Sequence, residues 1–244
     1  MYSCIRSIVL YNLEIQYNMH YFLVYNDNTH GYFLNPLLES VQKYGPEFKI
    51  VVFNKDQIDK EFAEKHKSIL TMRRGGGYWL WKPYIINTIL TQMKEGDIVF
   101  YLDSKYSFTD QISKLYADYM KDHEILLWHN KPNEPTFYMK NWCKMDVVLK
   151  FDMYSKVFID NVLDSWAGAM VIKKTANTTK YIQEWLDIAG VYENITDSPS
   201  VIRNNSDFRE HRHDQSMLSV VVHKYDIPLH FFEKRYLQNA RFPY

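Results

Sequence analysis

Two cysteines, Cys4 and Cys143, are too few to staple a fold together, and no His/Cys cluster has zinc-ligand spacing, so disulfide-rich and structural-zinc scaffolds are excluded. The chain reads as made for a reducing compartment. An excess of either charge is also missing: Lys plus Arg and Asp plus Glu number 29 each. No global field therefore draws the protein to nucleic acid or to an anionic membrane, and no nucleic-acid partner is expected. Nor is there a long hydrophobic run. The opening MYSCIRSIVLYNLEIQYNMH has a short apolar core broken by Asn12, Glu14 and Gln16, far below the ~20 residues that span a bilayer. It predicts neither a membrane span nor a cleaved signal. In a cytoplasmic chain the sequons at Asn177, Asn194 and Asn204 read as chance. No repeat, low-complexity tract or linker divides the 244 residues, which suit one large α/β domain or two closely joined halves.

What is present centres on one stretch, Arg73-Arg74-Gly75-Gly76-Gly77-Tyr78-Trp79-Leu80-Trp81-Lys82-Pro83, and the strand shortly after it. Three glycines in a row allow close backbone approach and unusual dihedrals. Pro83 suits the first turn of a helix, whose buried face is marked by Ile85, Ile89 and Met93 with Ile86 and Leu90 beside them. Asp97 to Leu102 is then a nearly continuous apolar run closed by Asp103, the pattern of a strand buried on both faces. Ligands of open α/β sheets bind beyond the carboxyl ends of such strands, which is where Asp103 stands. A carboxylate there can hold a divalent metal, while Arg73, Arg74 and Lys82 can meet phosphate oxygens. The bland alternatives are a strand-end polar residue at Asp103 and a glycine turn that merely supports helix packing. The glycines lack the Gly-Lys-Ser/Thr sequel of a P-loop and the placement of a dinucleotide fingerprint.

The first ~105 residues alternate strand and helix, the signature of a doubly wound parallel sheet. Strands are expected at Tyr21–Tyr25, Lys49–Phe53 and Ser68–Thr71, helices at about 32–43 and 56–65, and a polar turn at Asn26–Gly31. Residues 1–19 read as an extra strand or a lead-in. Further on, Thr109–Met120 is amphipathic, Glu124–His129 is a strand, 130–135 a loop, and Asn141–Phe151 a helix. Ser165–Ile172 is a strand opened by small residues, Ala167 and Gly168, and glycine inside a strand marks close approach of a ligand or another backbone. Thr178–Ala189 is a helix closed by Gly190. Residues 191–208 form either a mobile lid or a surface loop. A last helix begins at Asp214 as N-cap. The cluster Glu210-His211-Arg212-His213-Asp214-Gln215 is either a charged lead into that helix or a site where its positive end holds Asp214 and Gln215 towards a ligand.

Three motifs carry a resemblance. GGGYWLWKPYI at 75–85, GDIVFYLDS at 96–104 and HRHDQS at 211–216 resemble small GT-A-fold glycosyltransferases of bacterial polysaccharide loci and large DNA viruses, over roughly Tyr21 to Ile227. The resemblance implies an α/β, GT-A-like (Rossmann-related) fold with a mostly parallel central sheet flanked by helices. Residues of about 20–105 would form the nucleotide-binding half and about 106–244 the donor-sugar and acceptor half. It implies transfer of a sugar from a UDP- or GDP-linked nucleotide-sugar donor to a hydroxyl of a saccharide acceptor, with Mn²⁺ or Mg²⁺ as cofactor. The setting implied is polysaccharide biosynthesis in the cytoplasm of a bacterium or a virus-infected host cell, free or peripheral to a membrane. By the same resemblance Tyr25 meets the nucleotide base, Arg73, Arg74, Lys82 and Asp103 the donor phosphates, and Ala167 and Gly168 form the floor under the donor sugar. Asp214 and Gln215 are the catalytic pair and point to retention of configuration. Lys144 and Asp146 face the acceptor. The chain departs from the family at one place: Asp-x-Asp reads Asp103-Ser104-Lys105. His211 or His213 is then expected to join Asp103 on the metal, with activity falling below about pH 6.5 as imidazole protonates. Two other readings stay open, a sugar-phosphate nucleotidyltransferase and a non-catalytic nucleotide-sugar-binding module. The first usually carries a glycine-rich loop and lysine after the first strand, and Tyr25–Gly31 has neither.

Overall fold

A computed structural model describes residues 18–26, 34–129, 135–232 and 234–239. The readings of residues 1–17, of most of the turn after Asn26 and of nearly all the loop at 130–135 lie outside them. Three strands near the start, β1 (His20–Tyr25), β2 (Phe48–Phe53) and β3 (Ile98–Leu102), pair in parallel. Beyond β4 (Tyr106–Phe108) and β5 (Ile125–His129), β6 (Trp166–Lys173) lies antiparallel to both β3 and β5, and β7 (Leu229–Phe231) is parallel to β5. The sheet order is β2-β1-β3-β6-β5-β7, mostly parallel, and β4 pairs separately with β8 (Leu237–Asn239).

Alternation along the strands builds two cores. Leu23, Val99, Tyr101, Met170 and Ile172 meet helices on one side of the sheet, and Phe22, Val24, Phe100, Leu102, Ala169 and Val171 meet the other layer. All five residues of β3 are buried, which is why its sequence reads as a continuous apolar run. The second layer carries helix α1 (Leu34–Tyr44) through Leu37 and Val41. The first carries α2 (Trp81–Gln92), α3 (Ala176–Ala189) and α4 (Asp214–Lys224). Pro83 falls in the first turn of α2, as expected. At the far end Gly96, at φ +87°, turns the chain into β3, and the Asp97 carboxylate accepts from the Met19 and Lys94 amides at 2.8 and 2.9 Å.

Several local expectations are corrected. Ser68–Thr71 is not a strand: Lys67–Leu70 is a helical turn whose Ile69 is buried under the glycine stretch. Its apolar signal, Ile69 and Leu70, is too short for periodicity to decide. Gly190 is the C-cap of α3, as expected, but at φ −69° rather than left-handed; His66 packs over it, its ring Nδ1 3.0 Å from the Gly190 carbonyl. Asp214 is the first helical residue of α4 rather than its N-cap; that place belongs to His213, at φ +54°. The segment 191–208 is no free lid. Asp146 accepts from the amides of Val201 and Ile202 at 2.8 and 2.9 Å, Asn204 accepts from the Met145 amide at 2.8 Å, and Asn205 donates to Lys140 O at 2.9 Å. Within that segment Asn194 is 2 % exposed and donates to Ile188 O at 2.7 Å, so its sequon is closed to a glycan. Among the described residues no helix is long and apolar enough to cross a membrane.

Candidate active site

The glycine triplet makes a left-handed turn. Gly75, Gly76, Gly77, Tyr78 and Trp79 all have positive φ, 58°, 57°, 97°, 53° and 60°, and the Tyr78 amide closes the turn on Arg74 O at 2.7 Å. Glycine adopts this conformation freely, whereas Tyr78 and Trp79 each cost about 1–2 kcal/mol there. Packing offsets that cost. Tyr78 and Trp79 both lie against the His213 ring, with centroids at 4.7 and 5.6 Å, and Trp81 Nε1 donates to Gly75 O at 2.9 Å. The turn leaves Arg74 and Trp79 on the rim of a cavity of about 490 Å³. His213 is itself held at positive φ, so strained residues face one another across this wall.

The cavity opens beyond the carboxyl end of β3, with Asp103, Lys105 and Tyr106 on its floor and Asp214 and Gln215 from α4 opposite. Lys82 is 4 % exposed and stands between two carboxylates, 2.9 Å from Asp214 Oδ2 and 3.7 Å from Asp103 Oδ1. Burial opposes its charge, but Asp214 and Asp103 outweigh that and leave its pKa above the usual lysine value. Lys105 Nζ lies 3.4 Å from Asp103 Oδ2, and the Tyr101 hydroxyl donates to Oδ1 at 2.9 Å. Burial works against ionisation of Asp103 too, yet Lys82, Lys105 and Tyr101 bring its pKa below the carboxylate norm. Asp214 goes the other way: burial is the largest influence, and its pKa rises to about 6 despite Lys82.

The structure brings together Arg74, Lys82, Asp103, Gly168, His213, Asp214 and Gln215 on this cavity. Tyr25 stands at the neighbouring end of β1, where its ring stacks on Trp81 with centroids 3.8 Å apart. Other sequence expectations are corrected. Arg73 is exposed and outside the lining. Ala167 is 1 % exposed and belongs to the helix-side core, since neighbouring residues of a strand face opposite ways. Gly168 lines the cavity, but a Cβ there would sit 2.4 Å from Trp166 Nε1, so its smallness makes room for an indole. Lys144 and Asp146 are structural: buried Lys144 donates to Thr196 O, Ser198 O and Ser198 Oγ at 3.2, 3.4 and 3.1 Å, and Asp146 clasps the Val201 turn.

Of the two expected histidine ligands, His211 is corrected likewise. His211 is 4 % exposed, and both ring nitrogens are engaged inside the protein, Nε2 with Asn194 O at 2.7 Å and Nδ1 with the Lys144 amide at 3.5 Å. Burial pushes its pKa down to about 3, so it cannot be the group that titrates near pH 6.5. His213 donates from Nδ1 to Ile195 O at 2.7 Å, and its Nε2 faces Asp197, 3.7 Å away, a carboxylate already paired with Arg74. Among the described residues no three His, Cys, Asp or Glu side chains converge as a metal site. The donor set at Asp103 does not fit a divalent ion, because two ammonium groups occupy its surroundings.

Sequence reasoning missed Lys105 and Asp164 and gave Glu210 and Arg212 no role beyond their place in the 210–215 cluster. Lys105 was visible only as a missing acid. Arg212 stacks 3.8 Å over Trp142 and stands beside Glu210, with both Arg212 and Glu210 on the lining. Asp164, fully buried, accepts from Gln215 Nε2 and from Ser219 Oγ, the latter at 2.8 Å, and burial raises its pKa to about 6. It fixes the Gln215 amide at the cavity wall. Its only sequence signal was its position just before β6.

No protein-family model and no curated protein matches the chain. Solved structures do. The bifunctional glycosyltransferase WbbM, in its apo form, matches with a TM-score of 0.54 at 9% identity, over 90% of this chain and 40% of that one. Mouse xyloside xylosyltransferase 1 gives 0.48 at 9% identity over 89% and 86%, and a glycosyltransferase involved in glycosylating the major capsid of PBCV-1 gives 0.42 at 9% over 86% and 77%. The chain thus spans under half the length of WbbM, with which it shares a GT-A-like fold.

Proposed function

We propose that the protein is a glycosyltransferase that moves a sugar from a nucleotide-sugar donor to a hydroxyl of a saccharide acceptor. One observation carries the reading: in a GT-A-like fold, the cavity beyond the carboxyl end of β3 gathers Asp103, Lys82, Asp214 and Gln215, from three elements far apart in sequence. Negative charge develops on the departing nucleoside diphosphate as the glycosidic bond breaks. Preorganised cations at that position stabilise the transition state more than the ground state, which is the requirement for catalysis. Lys82 and Lys105 are so placed. Asp214 and Gln215 face the same space from the start of α4, and Asp164 holds the Gln215 amide in one orientation, so that side chain is preorganised towards the sugar. Tyr25, whose ring stacks on Trp81 at the end of β1, is the residue this reading assigns to the nucleoside. UDP and GDP are the nucleotides first in line, and the Asp214–Gln215 pair favours retention.

The experiment is incubation with a panel of UDP- and GDP-sugars, following the released product. Slow liberation of nucleoside diphosphate supports transfer, formation of nucleoside triphosphate and sugar 1-phosphate on addition of pyrophosphate indicates nucleotidyl transfer, and binding without product indicates a non-catalytic module. Asp103→Asn should lower turnover about 100-fold or more. Lys82 keeps its nearer partner Asp214, at 2.9 Å, so the variant still folds. Near-normal turnover in it would remove Asp103 from the chemistry.

A further inference from the structure

We propose that the donor diphosphate is held by the ammonium groups of Lys82 and Lys105 in place of a divalent ion; this rests on the glycosyl-transfer reading and concerns the same cavity. Lys105 stands two residues after Asp103, where an Asp-x-Asp pair would have its second acid. The Tyr106 amide bonds back to Asp103 O at 3.2 Å, a tight turn that returns the Lys105 side chain over the Asp103 carboxylate, 3.4 Å away. Lys82 sits between Asp103 and Asp214, so an ammonium already lies against both carboxylates. Bringing a divalent ion to Asp103 would require driving out a lysine that is 4 % exposed, or placing the ion against two ammonium groups. His211 cannot compensate, because both its ring nitrogens are engaged inside the protein.

The same geometry suits a phosphate. Lys105 has about a third of its side chain exposed, and its stem is long enough for the ammonium to leave Asp103 for a ligand oxygen. Of the other cavity arginines, Arg74 is clamped by Asp197 and Glu210 at 3.1 and 3.0 Å, and Arg212 is stacked on Trp142 at 3.8 Å. Asp103, relieved of a metal, is an acceptor-only group suited to donor hydroxyls. Cations then face phosphate and the carboxylate faces hydroxyls, the reverse of what an Asp-x-Asp sequence would do.

Isothermal titration with UDP, GDP, ADP, CDP and dTDP, first in excess EDTA and then in excess MnCl₂, tests this. At least one nucleotide should bind in EDTA, with Kd moved by Mn²⁺ less than about threefold. Lys105→Ala should weaken that binding about tenfold or more, and Lys105→Arg should retain it within about threefold. Lys105→Asp, which restores the second acid, should lose binding in EDTA and regain it with Mn²⁺. Wild-type binding that requires Mn²⁺, or Lys105→Ala binding as wild type does, overturns the proposal while leaving glycosyl transfer standing. Absence of binding by all five nucleotides in both conditions overturns both.

Discussion

Gly77→Ala probes why the chain carries three glycines before Tyr78. At φ +97° an L side chain is strained, and the added Cβ would stand 2.7 Å from Leu70 Cα and 3.2 Å from Ile69 O. Both are backbone atoms of the helical turn beneath, so relief requires moving that turn rather than rotating a side chain. The left-handed conformation costs about 1–2 kcal/mol and the overlap about 1–3 more, giving a destabilisation of about 2–5 kcal/mol. That is a large share of the ~5–15 kcal/mol that holds a typical domain folded. Gly76→Ala is the control: its φ is +57°, but the nearest atom to its Cβ is Trp81 Nε1 at 3.8 Å, so the conformational cost alone applies. Urea unfolding followed by tryptophan fluorescence measures both variants. Equal destabilisation at the two positions would refute the argument that close approach to Leu70 requires glycine.

Gly168→Val should destabilise by about 1–3 kcal/mol through overlap with the Trp166 indole, and the loss should shrink in a Trp166→Ala background because the atoms at 2.4 Å are then gone. Equal loss in both backgrounds would assign the glycine to something other than the indole. For pH, turnover should fall as pH drops through about 6, where Asp214 takes up a proton; a midpoint unmoved in Asp214→Asn, measured on its residual activity, would exclude Asp214. Stability at this residue has the opposite sign: its folded pKa lies above the unfolded value of about 3.9, so the folded state binds the proton more tightly and stability falls as pH rises from about 4 to about 6. Comparison of wild type with Asp214→Asn by denaturation across that range isolates the contribution.

The first half of the fold was legible because its strands write themselves as apolar runs, most fully in β3, where all five residues are buried. Asp103 was found for the same reason, as the first carboxylate after such a run. Ser68–Leu70 misled because a short apolar stretch fits a strand and a helical turn equally well. Lys144, Asp146 and His211 misled for a different reason. Polar residues before helices are common in sites, but they are equally what a long loop needs for its backbone amides and carbonyls, and partners 52 to 67 positions away are invisible to spacing. Gly168 was rightly read as a close approach, with the wrong neighbour supplied.

Lys82 shows how the core determines the electrostatics. Its charge is buried, and a buried ammonium without partners would lose its proton. The partners come from β3 and α4, and both are located by apolar packing: α2 presses Ile85, Ile86 and Ile89 into the layer that also receives Val99, Tyr101, Met217 and Val221. Trp185 of α3 donates from its indole to Asp214 O at 2.8 Å, which fixes the first residue of α4 against the same core. The pairing of Lys82 with Asp103 and Asp214 therefore follows from where hydrophobic faces force three elements to meet. A charged group placed this way keeps its geometry when a ligand exchanges with water, which is the condition for stabilising charge that appears only as a bond breaks.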